Sequence, residues 1–167
     1  MKLQQFKKEL DRDPAFTGKM ALDFAMLISR QAETVYEDRG IEFPVIVSST
    51  LLCLAEVGSA SLVEIARTLD HPHQLVAQRV KTMAKLDLIT SAPDPDDRRR
   101  TIFRLTPKGW QQANLLKDYR RDAALVFSAL SEEVSADLLA LLHQAVTALK
   151  DKPLADRFAD LAQTEDK

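Results

Sequence analysis

The sequence predicts a mainly α-helical fold that carries one small β-hairpin, and three observations support it. Apolar residues recur at three- and four-residue steps along most of the chain, as helices with one buried face require. Residues 91–109 break that rhythm with Pro93, Asp94, Pro95, Asp96 and Asp97, which suit an exposed turn and neither a helix interior nor a central strand. The runs on either side, Leu88-Ile89-Thr90-Ser91 and Thr101-Ile102-Phe103-Arg104-Leu105, are short and rich in β-branched and apolar residues, so they read as the two strands of a hairpin.

Residues 1–17 hold Leu3, Phe6, Leu10 and Phe16 among many charges, with Pro14 as a break. That is a short helix or an arm, and its apolar residues need another surface. Ala21, Leu22, Ala25, Ile28, Ala32, Val35 and Tyr36 then describe a long amphipathic helix over residues 19–39, which Gly40 ends. Pro44 opens a more apolar helix through Val45, Val47, Leu51, Leu54 and Ala55, closed by Gly58.

Ser61-Leu62-Val63-Glu64 has capping-box spacing, in which each side chain satisfies an orphan amide of the other residue. A short helix therefore runs over residues 61–69, with Leu62, Ile65, Ala66 and Leu69 on one face. Beyond Asp70-His71-Pro72 a second helix starts, Pro72 in its first turn, with Val76, Val80 and Met83 toward a core and Gln74, Gln78, Lys81 and Lys85 on the other side. Two helices joined by a tight turn and followed by a two-stranded wing make a winged helix-turn-helix.

Thr106 is placed as an N-cap and Pro107 as the first residue of a long helix through Trp110, Ala113, Leu116, Tyr119 and Ala123 toward Phe127. Ser131 is expected to cap the next helix, with Glu132 and Glu133 complementing the dipole in its first turn. Leu138, Leu139, Leu141, Leu142, Val146 and Leu149 make that helix apolar around more of its circumference than one neighbour can cover. Pro153 interrupts the pattern, Leu154, Phe158 and Leu161 fit one more short helix, and residues 163–167 are expected to fray.

From about residue 43 to residue 109 the chain resembles the MarR family of bacterial transcriptional regulators. The resemblance rests on the wing Asp94-Pro95-Asp96-Asp97-Arg98-Arg99 and the strand-to-helix junction Leu105-Thr106-Pro107-Lys108-Gly109. Two positions depart from the family pattern. Asp87 precedes Leu88 where the family usually has Gly, although Asp is one of the few other residues that accepts a left-handed helix end. The second helix opens His71-Pro72-His73-Gln74-Leu75 where many members carry Ser and Thr. The resemblance implies a homodimer in which the first and last helices of two chains interdigitate, with one reading head per subunit. On this reading the chain is a single domain over residues 1–167: an N-terminal arm and dimerisation helix over 1–42, a winged helix-turn-helix over 43–105, and C-terminal dimerisation helices over 106–167.

Charge distribution agrees. The total is −2 with an isoelectric point near 5.9, which is wrong for a general polyanion binder. Yet residues 73–109 hold eight cations against four carboxylates, a local +4 that leaves −6 on the remainder. The one cysteine, Cys53, excludes an intramolecular disulfide and points to a reducing compartment. Residues 1–13 are charged and lack a signal-peptide core, and no apolar run approaches membrane-spanning length, so the cytoplasm is expected and a membrane is not.

The expected function is sequence-specific binding of double-stranded DNA, at a pseudo-palindromic operator, by a homodimeric repressor. Gln74, Ala77, Gln78 and Lys81 should face the major groove, with His73 at the start of the same helix. Arg79 should contact phosphate at the groove edge. Arg99 is the residue expected in the minor groove, oriented by Asp97, with Arg98 and Arg100 on the backbone. A small-molecule effector lodged between the dimer helices and the reading heads would change the spacing of the two reading helices.

Other chemistries are weaker. Cys53 sits in an apolar helix between Leu52 and Leu54 with no base beside it, so a core thiol is preferred to a nucleophile. His71 and His73 lack the further ligands of a metal site, and the three wing aspartates lack the Gly and terminal Glu of a calcium loop. Trp110, Tyr36, Phe43 and Phe24 could line a pocket, but aromatic residues on helices are core more often. Neither a catalytic residue nor a cofactor is expected. Two alternatives stay open: a thiol-based redox switch at Cys53, which its exposure would reveal, and a winged-helix protein-interaction module without DNA binding.

Overall fold

The computed structural model describes residues 2–165. It falls into two compact units, Met1–Tyr119 and Arg120–Lys167. The first begins with α1 (Lys2–Leu10), a 3-10 turn at Pro14–Phe16 and α2 (Thr17–Asp38). The Pro14 break is real, and Asp13 stabilises it by accepting a hydrogen bond from the Ala15 amide at 2.9 Å. Pro44 opens a single 3-10 turn, Val45–Val47, before α3 (Ser48–Val57), which Gly58 ends at φ 78°. Then come β1 (Ser59–Ser61), α4 (Leu62–Leu69), α5 (His73–Lys85), β2 (Ile89–Pro93), β3 (Thr101–Leu105) and α6 (Pro107–Glu133), whose last part belongs to the second unit.

The wing differs from the two-stranded hairpin expected. It is a three-stranded antiparallel sheet in the order β1-β3-β2, with Ala60 opposite Phe103 and Ser91 opposite Phe103 on the other edge. Ser59-Ala60-Ser61 is too short and too lacking in large β-formers to announce a strand; the free edge of β3 supplies its partners. Leu88 is not part of β2 but lies buried just before it, and Pro93 closes β2 on an edge, where its missing N–H costs no ladder bond.

α3 sits at the centre of this unit, packed against α4, α5 and the sheet. Val47, Leu51, Leu54, Ile65, Val76, Met83 and Leu88 are wholly enclosed there, each burial worth about 1.5–3 kcal/mol. Above it Tyr36 meets Phe43 and Tyr119 edge-on, at 5.7 and 4.8 Å between ring centroids. Tyr36 and Phe43 are therefore core residues, Phe24 is half-buried, and Trp110 is exposed. Gln112, buried on α6, fastens the loop after α2: its Oε1 accepts from Glu42 N at 2.8 Å and its Nε2 donates to Gly40 O at 3.1 Å.

The strand-to-helix junction is closely packed, with no room for a Cβ on Gly109 beside the Leu88 carbonyl. Thr106 N donates to Leu88 O at 3.0 Å, and Thr106 Oγ1 donates to Asp87 O at 2.7 Å while accepting from Gly109 N at 2.9 Å. Thr106 is thus the N-cap expected, and Pro107 the first helical residue. Asp87 takes the left-handed conformation anticipated for it, at φ 58°.

In the second unit, α6 continues to Glu133 and is followed by α7 (Leu138–Asp151) and α8 (Leu154–Glu165). Ser131 is not the N-cap residue of a new helix, although its Oγ accepts from Leu138 N at 3.4 Å. It lies inside α6, its hydroxyl bonded to Phe127 O four residues back, and Ser135 at φ 55° ends the helix instead. The cap of α7 is Asp137, whose Oδ1 accepts from Ala140 N at 2.9 Å. At the corner between α7 and α8, Arg157 donates to Ala148 O at 2.6 Å and Lys152 O at 2.9 Å, and Lys152 pairs with Asp160. α8 is helical through Glu165, so fraying does not begin at residue 163; residues 166 and 167 lie outside the described residues. No helix among the described residues is long and apolar enough to cross a membrane.

Candidate nucleic-acid interface

α5 is held by its apolar side. Val76, Val80 and Met83 are buried, and Leu75 N and Val76 N both bond to Pro72 O, which places Pro72 at the N-cap and His73 first in the helix. The opposite side is open: His73, Gln74, Gln78 and Lys81 are exposed and Ala77 is half-buried. The turn into α5 is rigid because Asp70 adopts φ 51° and His71 N closes back on Ala66 O at 3.0 Å, a left-handed helix end. Arg79, expected at the groove edge, is folded back. Its NH1 lies 2.9 Å from His71 Nδ1 and 3.3 Å from Ser49 Oγ on α3.

The wing tip divides its three arginines between two tasks. Arg99 points out, its side chain 92% exposed, and Asp97 braces it from below by accepting from both Arg99 Nε and Arg99 N at 3.1 Å. Those bonds hold the Asp97 carboxyl below its ordinary range. Arg98 is also exposed. Arg100 instead turns inward to Glu64 at 2.9 Å, Ser61 Oγ at 3.1 Å and Asp94 at 3.6 Å. Asp94, expected in an exposed turn, is buried, because it closes the tip by accepting from Asp96 N at 3.0 Å while facing Arg100. A carboxylate can lie buried when its lone pairs are so engaged.

Glu64 joins these parts. Its Oε2 accepts from Ser61 N at 2.8 Å and from Ser61 Oγ at 2.7 Å, completing the capping box, while Oε1 receives Arg100. The Ser61 bonds first, and Arg100 after them, lower the Glu64 carboxyl from 4.5 to about 2. A depressed carboxyl stabilises its surroundings fully above 4.5 and loses that contribution as pH falls toward about 2. Hydrogen exchange should therefore find the wing-tip amides equally protected down to about pH 4.5 and progressively exposed below it. Glu64→Gln should diminish that step, leaving the part that Asp97 contributes through its bond to Arg99 N.

Sequence reasoning found Glu64 as a helix cap and missed it as the anchor of the wing, since nothing local links it to Arg100. His71 and Ser49 were likewise not foreseen as partners of Arg79. Lys108 of the basic island is half-buried and engaged by Glu42 at 2.9 Å, while Lys81, Lys85, Arg98, Arg99, Arg100 and Arg104 are its exposed cations. Cys53 is buried, and burial pushes its thiol up, away from the reactive thiolate.

Residues 41–100 match the family model described as MarR family. No curated protein sequence gives a significant match. Among solved structures, the chain is similar to a probable transcriptional regulator from Pseudomonas aeruginosa, at 24% identity and TM-score 0.61 over 81% of this chain and 98% of that one. It is similar to an adhesin competence repressor from Streptococcus pyogenes at 20% identity and TM-score 0.57, over 81% and 96% of the two chains. A MarR family transcription regulator aligns over 98% of this chain and 99% of its own, at 20% identity and TM-score 0.58. At these identities the likeness is one of fold.

Proposed function

We propose that this protein, whose residues 41–100 match the model described as MarR family, is a regulator of that kind, which binds a pseudo-palindromic DNA operator as a homodimer and represses transcription. The observation that carries the reading is the division at the wing tip. Arg100 is spent on fixing the wing to α4, and Arg99 is braced outward with Asp97 as its partner among the described residues. A held, projecting guanidinium suits the electronegative minor groove, and Arg98 the adjacent phosphates. His73, Gln74, Ala77, Gln78 and Lys81 supply the major-groove face, where a Gln amide reads adenine and a Lys takes guanine or phosphate. Repression is the sign we assign, in line with the Streptococcus pyogenes neighbour. A small-molecule effector and a single functional domain over residues 1–167 belong to the same proposal.

Dimerisation follows from uncovered apolar surface. Leu3 and Phe6 on α1, Leu22 and Met26 on α2, Leu139 and Leu141 on α7, and Phe158 on α8 each leave half or more of their area open in the single chain. A second copy is the covering that a two-fold regulator needs. Sedimentation at micromolar concentration should give about twice 18.7 kDa, and a stable monomer there would remove this architecture.

Selection from random duplex DNA tests the reading directly. Inverted repeats should be enriched, with half-site centres about 10 base pairs apart. Gln78→Ala should cost about 1–3 kcal/mol and relax one position in each half-site. Arg99→Ala should weaken most sequences alike, with added loss at A·T-rich flanks. If nothing is enriched, or Arg99→Ala binds as tightly as the parent, the wing is not a DNA-reading element and a protein-interaction module takes its place.

A further inference from the structure

Arg79 is the one cation on α5 that does not face solvent freely, and what restrains it is uncharged. Its NH1 is shared between the Ser49 hydroxyl and the His71 ring, and its Nε is enclosed with no hydrogen-bond partner among the described residues. A guanidinium has only donors. His71 Nδ1 must therefore present its lone pair, which puts the ring proton on Nε2. A doubly protonated imidazole has no lone pair, and the 2.9 Å contact would then join two cations with no acceptor between them.

We propose that His71 is the positioning residue of Arg79: when neutral it holds the guanidinium back against α3, and when protonated it releases it to the DNA backbone beside α5. The proposal rests on the DNA-binding reading above. The helix makes the release useful. At 3.6 residues per turn, Arg79 stands about 100° from Gln78 on the open face and about 100° from Val80 on the buried one. A freed side chain at that position reaches the groove edge, where phosphates lie.

The surroundings of the ring set where the change falls. Burial and then the Arg79 charge press the His71 pKa below its ordinary value, while Asp70 on the same turn raises it; α3 contributes only the neutral Ser49. The ring is not free to drift away, because the His71 amide is tied to Ala66 O. A phosphate brought close would favour the protonated ring, so DNA binding and proton uptake support one another by linkage.

The test measures affinity for the selected duplex at constant ionic strength from about pH 8 to about pH 5.5, by anisotropy, with the full-length chain. The parent should gain roughly three- to tenfold more on acidification than His71→Gln or Arg79→Gln, as one added phosphate contact would provide. His143→Gln, which removes an exposed histidine of α7 instead, should keep that excess. In the free protein, imidazole resonances should show the His71 titration moving upward in Arg79→Gln. Equal pH slopes in parent and His71→Gln, loss of the excess in His143→Gln, or an unmoved His71 titration each overturn the proposal. If no duplex binds at any pH, the DNA reading falls with the destination of Arg79, and the imidazole titration alone decides whether the latch exists.

Discussion

Gly109→Ala is expected to cost about 3 kcal/mol or more and to lower the melting temperature by roughly 6–12 °C. A Cβ at this position would stand 2.0 Å from the Leu88 carbonyl oxygen and 3.2 Å from Leu105 Cβ. Backbone is what it meets, and that backbone cannot step aside. Leu88 O accepts the Thr106 amide, Asp87 O accepts the Thr106 hydroxyl, and Leu88 is itself fully enclosed. Gly18 provides the control, since a Cβ there has nothing within 4 Å and φ is unexceptional; Gly18→Ala should be neutral or gain about 0.5–1 kcal/mol of helix stability. Thermal unfolding of both variants decides it. Equal melting temperatures for parent and Gly109→Ala would mean that α6 does not pack against Leu88 so closely.

Arg100→Met is expected to lower affinity for the selected duplex roughly ten- to hundredfold, about 1.4–2.8 kcal/mol, although Arg100 faces protein. The substitution keeps an apolar stem and removes the contacts to Glu64, Ser61 and Asp94 together. Asp94 then stays buried opposite no cation, and the tip that aims Arg99 loses its anchor. Far-ultraviolet circular dichroism should be unchanged while wing amides exchange faster. Arg99→Ala, in contrast, should leave that exchange as in the parent, which separates a residue that aims the wing from one that contacts DNA. An Arg100→Met protein with full affinity would show that the wing needs no such anchor.

Much of this was legible in the chain because it depended on neighbours in sequence. The capping box at Ser61, the N-cap at Thr106, the helix end at Gly58 and the left-handed Asp87 are all encoded within four residues of where they act. What escaped notice acts across distance. β1 is visible only through β3, some forty positions along, and Glu64 meets Arg100 only once the wing folds over α4. Ser131 misled for a related reason: Ser followed by two glutamates resembles a helix start, but the helix already present absorbed the hydroxyl into its own carbonyl ladder. All nine residues expected to meet DNA lie on exposed or half-exposed surface as their types suggest. Two of them, Arg79 and Arg100, are nonetheless engaged with the body of the protein, because a long cation takes whatever acceptor the fold brings near.

The corner at Arg157 bears on a different quantity, the entropy of association. Two helices bearing open leucines and a phenylalanine would ordinarily rock about the residues between them and lose that freedom on meeting another chain. Here one guanidinium spans the Ala148 carbonyl of α7 and that of Lys152 just beyond it, and the Lys152 ammonium pairs with Asp160 on α8. The surface formed by α7 and α8 is thus set before any encounter, so a partner finds it already shaped and the freedom left to surrender is mostly that of the side chains.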